Sequence, residues 1–289
     1  MSRNAGLRLR AAVLLGAITA SATSAAASEP VSLPPPDASP DIRSGAPAVA
    51  PLLLQLAPSL GRNEIALAHA RETLSNNPND WQDTQLELIH HFAPRKLLIG
   101  RAISSKRFGL SDDTLAVSGY YPMGERTTGY AEVTTSSTHR VLPRDSIHLQ
   151  LAQSLSRGWG LIGGLRRVTY NTTVVEIADL TLERYFSDYR IAFTVYPSRS
   201  RTAGNASSFR LQFSRYYGEE NNIQLMAVSG TEADKPSELD RVIATPVRGI
   251  ALFGRHWLTR DWGLGYGAGY TKQGDSRRRS ADVGLRYRF

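Results

Sequence analysis

The last eleven residues, Arg279 to Phe289, constrain the fold more than any other stretch. Ala281, Val283, Leu285, Tyr287 and Phe289 alternate with Asp282, Gly284, Arg286 and Arg288. Successive side chains of a strand point to opposite faces. One face of this ribbon is therefore apolar to its final residue, and the other is polar. That pattern suits a sheet with lipid on one side and water on the other. A strand that ends the chain on an aromatic also suits a sheet that closes by pairing its last strand with its first.

The same period recurs along the chain. Ile147, Leu149 and Leu151 alternate with His148, Gln150 and Ala152. Ile191, Phe193 and Val195 alternate with Arg190, Ala192 and Thr194, and Phe209, Leu211 and Phe213 with Arg210, Gln212 and Ser214. Fourteen segments read as strands, near 63–72, 81–92, 96–105, 113–122, 129–137, 145–156, 159–170, 174–187, 189–198, 206–217, 222–230, 246–258, 262–273 and 279–289. Each is about ten residues long, enough for a tilted strand to cross a bilayer. The expected fold is all-β: a closed antiparallel transmembrane β-barrel of about 14 strands, with 12 as the alternative. Short turns at 93–95, 157–158, 187–188, 218–221 and 260–261 belong on the side of the termini, and longer polar loops near 73–80, 106–112, 138–144, 199–205 and 231–245 on the other. Aromatics at segment ends (Trp81, Phe92, Tyr121, Trp159, Tyr170, Tyr185, Tyr217, Trp257 and Trp262) read as interfacial rings.

The N-terminus reads as an export signal. Arg3, Arg8 and Arg10 precede the apolar stretch Ala11 to Ala22, and Ala25 to Ala27 supply small residues for cleavage after Ala27. Ala25 and Ala27 are the cleavage-site candidates. Removing residues 1–27 takes away three arginines and no acid, which lowers the formal charge from +8 to +5. Residues 28–61 are Pro- and Ala-rich and read as a disordered periplasmic lead; residues 62–289 form the barrel. The chain lacks cysteine, which fits passage through an oxidising compartment and excludes thiolate metal sites. A mean hydropathy of −0.28 fits a barrel, where only alternate residues meet lipid. The pI near 9.9 suggests nucleic acid as a partner. The only dense basic run, Arg277 to Arg279, lies at an expected hairpin tip, and no nucleic-acid-binding motif is present, so no nucleic-acid partner is expected.

Several short motifs occur in order: Asn79-Asp80-Trp81-Gln82, Lys106-Arg107-Phe108-Gly109, Tyr120-Tyr121-Pro122, Tyr185-Phe186-Ser187-Asp188-Tyr189, Arg215-Tyr216-Tyr217 and Arg286-Tyr287-Arg288-Phe289. Together they resemble the YaiO-like family of outer-membrane β-barrel proteins, over residues 63 to 289. The resemblance implies a bacterial outer-membrane location after Sec-type export and a role in envelope glycan traffic. It brings no catalytic residues. The chain departs from the family in its early loop, Asn76-Asn77-Pro78, and in having no helical-repeat segment ahead of the barrel. Val283, Leu285, Tyr287 and Phe289 also resemble the closing-strand signal read by the barrel-assembly machinery. Expected partners are that machinery, outer-membrane lipid and lipopolysaccharide, and envelope glycan machinery.

Parity puts ionisable side chains on the interior face. The lumen candidates are Glu87, Glu132, His148, Asp179, Glu183, Arg190, Arg210, Asp282 and Arg286; Arg101 and Arg166 join them under one register of their segments. Such a wall serves as a structural ion-pair network or as a pore lining that screens solutes by charge. The expected function is a passive or secretion pore for polar solutes or polysaccharide. Its rivals are a structural or adhesive barrel with a closed lumen and, third, a hydrolase using Ser146 and His148 with Asp145 adjacent. No metal or cofactor is expected: His90 and His91 are strand neighbours and point apart, and no glycine-rich phosphate loop is present.

Overall fold

The computed structural model describes residues 62–75, 77–218, 220–234 and 242–289, and the backbone of a two-residue ladder pairing Ile42–Arg43 with Ala46–Pro47. The expected signal, including Ala25 and Ala27, lies outside the described residues, as does most of the lead.

Fourteen strands form one closed antiparallel barrel. They are β1 (Glu64–Leu74), β2 (Asn77–Ala93), β3 (Lys96–Arg107), β4 (Leu110–Pro122), β5 (Thr127–Ser136), β6 (Asp145–Ser154) and β7 (Trp159–Thr169). The second half comprises β8 (Val174–Phe186), β9 (Tyr189–Ser200), β10 (Gly204–Tyr217), β11 (Asn221–Asp234), β12 (Ile243–Trp257), β13 (Trp262–Gln273) and β14 (Ser276–Arg288). Each strand pairs with its sequence neighbours, and β14 pairs with β1. The count is the expected fourteen. No described helix is long and apolar enough to cross a membrane.

Alternation decides which face is which. Leu67, Leu115, Leu149, Leu165, Leu180, Leu211 and Leu285 are exposed, with Leu165 at 69%. Their sequence neighbours Ala66, Ala116, His148, Arg166, Thr181, Arg210 and Arg286 are buried. The sheet thus turns its aliphatic residues outward and its polar residues inward, the reverse of a soluble sandwich. Hydrocarbon surroundings require every backbone donor and acceptor to be paired within the sheet, which closure achieves.

The seam is well made. Leu285 stands opposite Leu67 and Tyr287 opposite Ile65. The Asn63 N–H donates to the Phe289 carbonyl at 3.1 Å, and the Phe289 N–H returns the bond to Asn63 at 2.9 Å. Phe289 itself is exposed and lies in line with the Tyr287 ring, 6.2 Å between centroids.

Two expectations are corrected. Three of the long loops expected opposite the termini, 73–80, 106–112 and 199–205, are largely strand, with β3 turning into β4 through Phe108 and Gly109 alone, whereas 138–144 is a connection as expected. Phe108 and Gly109 both have positive φ (53° and 79°), the backbone a tight two-residue hairpin needs. Polar composition misled here, because strands that continue beyond the lipid have water on both faces and keep their ladder bonds. Among the described residues the longest connection at this end is 137–144. The second correction concerns the rings. Phe92, Tyr121, Trp159 and Trp262 point outward at the end carrying the termini, but Trp81, Tyr170, Tyr185 and Trp257 take the inward parity.

Deleting Phe289 removes two seam hydrogen bonds, at about 1 kcal/mol each, and one interfacial ring. The fraction of heat-modifiable barrel recovered from membranes is expected to fall clearly below wild type. An unchanged fraction would count against the seam.

Candidate functional site: the charged inner wall

A single hydrogen-bonded belt runs round half of the interior. It starts at Glu64 on β1, which accepts from Arg286 on β14. Arg286 reaches Glu87 on β2 at 3.4 Å, and Arg101 on β3 donates to Glu87 at 2.9 Å. Arg101 donates as well to Glu132 on β5, again at 2.9 Å, passing over β4. The residue of β4 directly opposite Arg101 is Ala116, too short to block that reach. Glu132 takes two further donors, the Tyr130 hydroxyl at 2.9 Å and Arg166 of β7 at 3.3 Å.

The belt continues through a histidine. Arg166 lies 3.4 Å from His148 Nδ1, and His148 Nε2 lies 3.0 Å from Asp179 Oδ1. Arginine only donates, so Nδ1 accepts and Nε2 carries the proton given to Asp179. Gln150 donates to the second Asp179 oxygen at 2.8 Å. A side chain at position 164 would collide with this arrangement: a Cβ there would stand 2.5 Å from Asp179 Oδ1 and 2.6 Å from Gln150 Cγ. Gly164 makes room for the carboxylate, as Gly160 does for Glu183. Arg190 then donates to Glu183 at 2.8 Å.

The wall carries further pairs near its ends. Toward the termini, Arg288 makes two bonds to Glu220, at 3.1 and 2.6 Å, and lies over the Trp257 ring. At the opposite end, Trp81 is held between Arg107 and Arg278, at 4.6 and 5.0 Å from its ring centroid, and Arg107 donates to Asp83 at 3.2 Å. On the far side of the barrel, Gln212, Ser214, Gln224 and Asn222 form a neutral amide and hydroxyl ladder beside the apolar group Met226, Val228, Ala251 and Phe253.

The sequence candidates fall as follows. Glu87, Glu132, His148, Asp179 and Arg286 belong to the belt, with Arg101 and Arg166. Glu183 and Arg190 pair with each other. Arg210 faces inward against the Tyr196 ring at 5.3 Å, and Asp282 faces inward across from Gly267. Glu64, Asp83, Arg107, Glu220, Arg255 and Arg278 are inward charges that sequence reasoning missed, and Arg288 lies inward on the polar face expected of the closing strand. Extending the parity of Glu87 back to Asp83, and that of Arg286 back to Arg278, would have found two of them. The candidate hydrolytic group does not assemble: Ser146 bonds Thr134 at 2.7 Å, His148 turns to Asp179, and Asp145 lies on the opposite parity beside Arg144. Among the described residues no three His, Asp or Glu side chains are placed to hold a metal.

The paired charges are deeply buried, His148 at 0% and Glu87 at 1% exposure. They are held laterally, strand to strand, so the pairing belongs to the wall. A polar inner face of this kind inside an aliphatic exterior defines a transmembrane β-barrel of the outer-membrane class. The chain belongs to the YaiO membrane beta barrel domain family, whose model matches residues 62–235. The remaining strands complete the same barrel. No curated protein matches the sequence. Solved structures that share the fold include the following two. The "CymD monoaromatic hydrocarbon channel" aligns with a TM-score of 0.52 at 10% identity, covering 80% of this chain and 88% of that one. The "Bacterial polysaccharide outer membrane secretin" aligns with a TM-score of 0.50 at 9% identity, covering 80% of this chain and 100% of that one.

Glu132 is shared by two arginines. Glu132→Ala leaves both without that carboxylate in a buried wall and is expected to cost roughly 3 kcal/mol, read as a lower urea midpoint in lipid vesicles. Leu149→Ala on the lipid face should shift the midpoint far less. Equal shifts would contradict the belt as a structural element.

Proposed function

We propose that the protein is an outer-membrane conduit for polar, uncharged or charge-balanced solutes, with hydrated glycan chains as the cargo class. The observation that carries this reading is the lateral pairing of the inner-wall charges. Acids and arginines neutralise one another along the wall, so it presents hydrogen-bonding groups without a strong field of one sign. Porin-type selectivity by charge needs an uncompensated ring, and none is needed for a hydroxylated cargo. The glycan assignment also rests on the resemblance to the YaiO-like family.

A second reading, a structural barrel with a closed lumen, is favoured by the deep burial of the belt. Single-channel recording in planar bilayers separates the two. The conduit reading expects a small current in the wild-type barrel, weak selectivity between cations and anions, and partial block by added oligosaccharide. Glu132→Ala, which frees the belt at its midpoint, should enlarge the current severalfold. No current in either protein would contradict a conduit and leave the closed barrel.

A further inference from the structure

The exterior differs at its two ends. Near the termini its outward residues are rings: Phe92, Tyr121, Trp159, Trp262, Tyr287 and Phe289. At the opposite end, on three adjacent strands, they are cations. Arg248 on β12, Lys272 on β13, and Arg277 and Arg279 on β14 are all exposed. The register sets Arg248 directly opposite Lys272, and Lys272 directly opposite Arg277. Arg279 stands opposite Tyr270, one outward position nearer the membrane.

Like charges at directly opposed positions of neighbouring strands repel. Two other outward cations at this end have acids beside them: Arg71 pairs with Asp80, and Arg167 lies 3.9 Å from Glu176. The four on β12 to β14 have no ion pair among the described residues. Immediately below the row the surface is apolar, with Ile250 opposite Tyr270, then Leu252, Ala268 and Ala281, then Val283. A compact row of unpaired cations standing on an aliphatic strip matches one kind of ligand: an amphiphile with an anionic head and acyl tails.

We propose that Arg248, Lys272, Arg277 and Arg279 bind the phosphorylated head of an outer-leaflet glycolipid of the lipid A type. The phosphates sit on the row, where they relieve the mutual repulsion, and the acyl chains lie along Ile250, Leu252 and Val283. Charge complementarity places the head, and the apolar strip excludes a soluble anion as the natural occupant. The arginines offer planar two-pronged donors to phosphate, and Lys272 adds a point charge. The orientation follows from the fold, since the β13–β14 hairpin lies at the end away from both barrel termini.

The test uses the full-length barrel refolded in neutral detergent, with folding checked by heat-modifiable mobility. Binding of fluorescent diphosphorylated lipid A is compared with that of the same lipid stripped of phosphate. The wild-type barrel is expected to prefer the diphosphorylated form by about tenfold or more, with the preference shrinking as salt is raised. The variant R248Q/K272Q/R277Q/R279Q should lose the preference, and the control Arg184→Gln, at the far end of the exterior, should keep it. If the fourfold variant does not fold, R277Q/R279Q at the hairpin replaces it, and the wild-type comparison stands without any variant. Equal binding of the two lipids by wild type would overturn the proposal, as would full preference in the folded variant. Competition by inorganic phosphate or phosphatidylglycerol as strong as that of lipid A would overturn the assignment to a glycolipid.

Discussion

Hydrocarbon offers a peptide backbone no hydrogen-bond partners, and everything in this barrel follows from that. An open sheet of fourteen strands would leave two unpaired edges in lipid, each backbone group costing several kcal/mol. Pairing of β14 with β1 removes both edges at once. The closing strand therefore carries constraints from two sides. Its outward residues Val283, Leu285, Tyr287 and Phe289 must be apolar, and its inward Arg286 and Arg288 must find acids on distant parts of the chain. Glu64 and Glu220 supply them. Closure in space is thus also closure of charge.

The inner wall shows why so many ionised groups can be buried. Removing charges from water is costly unless each is paired and hydrogen-bonded. Here the carboxylates of Glu87, Glu132 and Asp179 each take at least two donors from other strands, most of them one strand beyond the immediate neighbour. Small inward residues at the right places, Ala116 and Gly164, let long side chains meet across or beside them. The consequence is an inner wall on which most of the charged groups are paired with one another. The exterior handles its charges differently: at the end away from the termini Arg248, Lys272, Arg277 and Arg279 make no ion pair among the described residues.

Period-two alternation made the strands legible in the sequence. Side-chain direction in a strand depends only on parity, so Glu87, His148 and Arg286 separate from Leu86, Leu149 and Leu285 without any knowledge of the fold. Turn chemistry was legible for the same local reason, as at Ser187-Asp188. The belt was not. Arg101 reaches Glu132 over an intervening strand, and Arg288 reaches a turn residue more than sixty positions away. Such contacts depend on inter-strand register and barrel tilt, which no local pattern encodes. Trp81 and Trp257 were misread because a ring near a strand end looks interfacial whichever face it takes. Only continuing the parity count from Glu87 or Arg255 shows that they point inward.

The central claim is that alternate residues of this chain face lipid and the inner wall. Because the sequence has no cysteine, single cysteines at Leu149, Gln150, Leu211 and Gln212 can carry nitroxide spin labels in the vesicle-reconstituted protein. The account expects labels at 149 and 211 to relax strongly with lipid-soluble oxygen, and those at 150 and 212 to be shielded from it. Oxygen accessibility that is equal at all four sites, or highest at 150 and 212, would contradict the account.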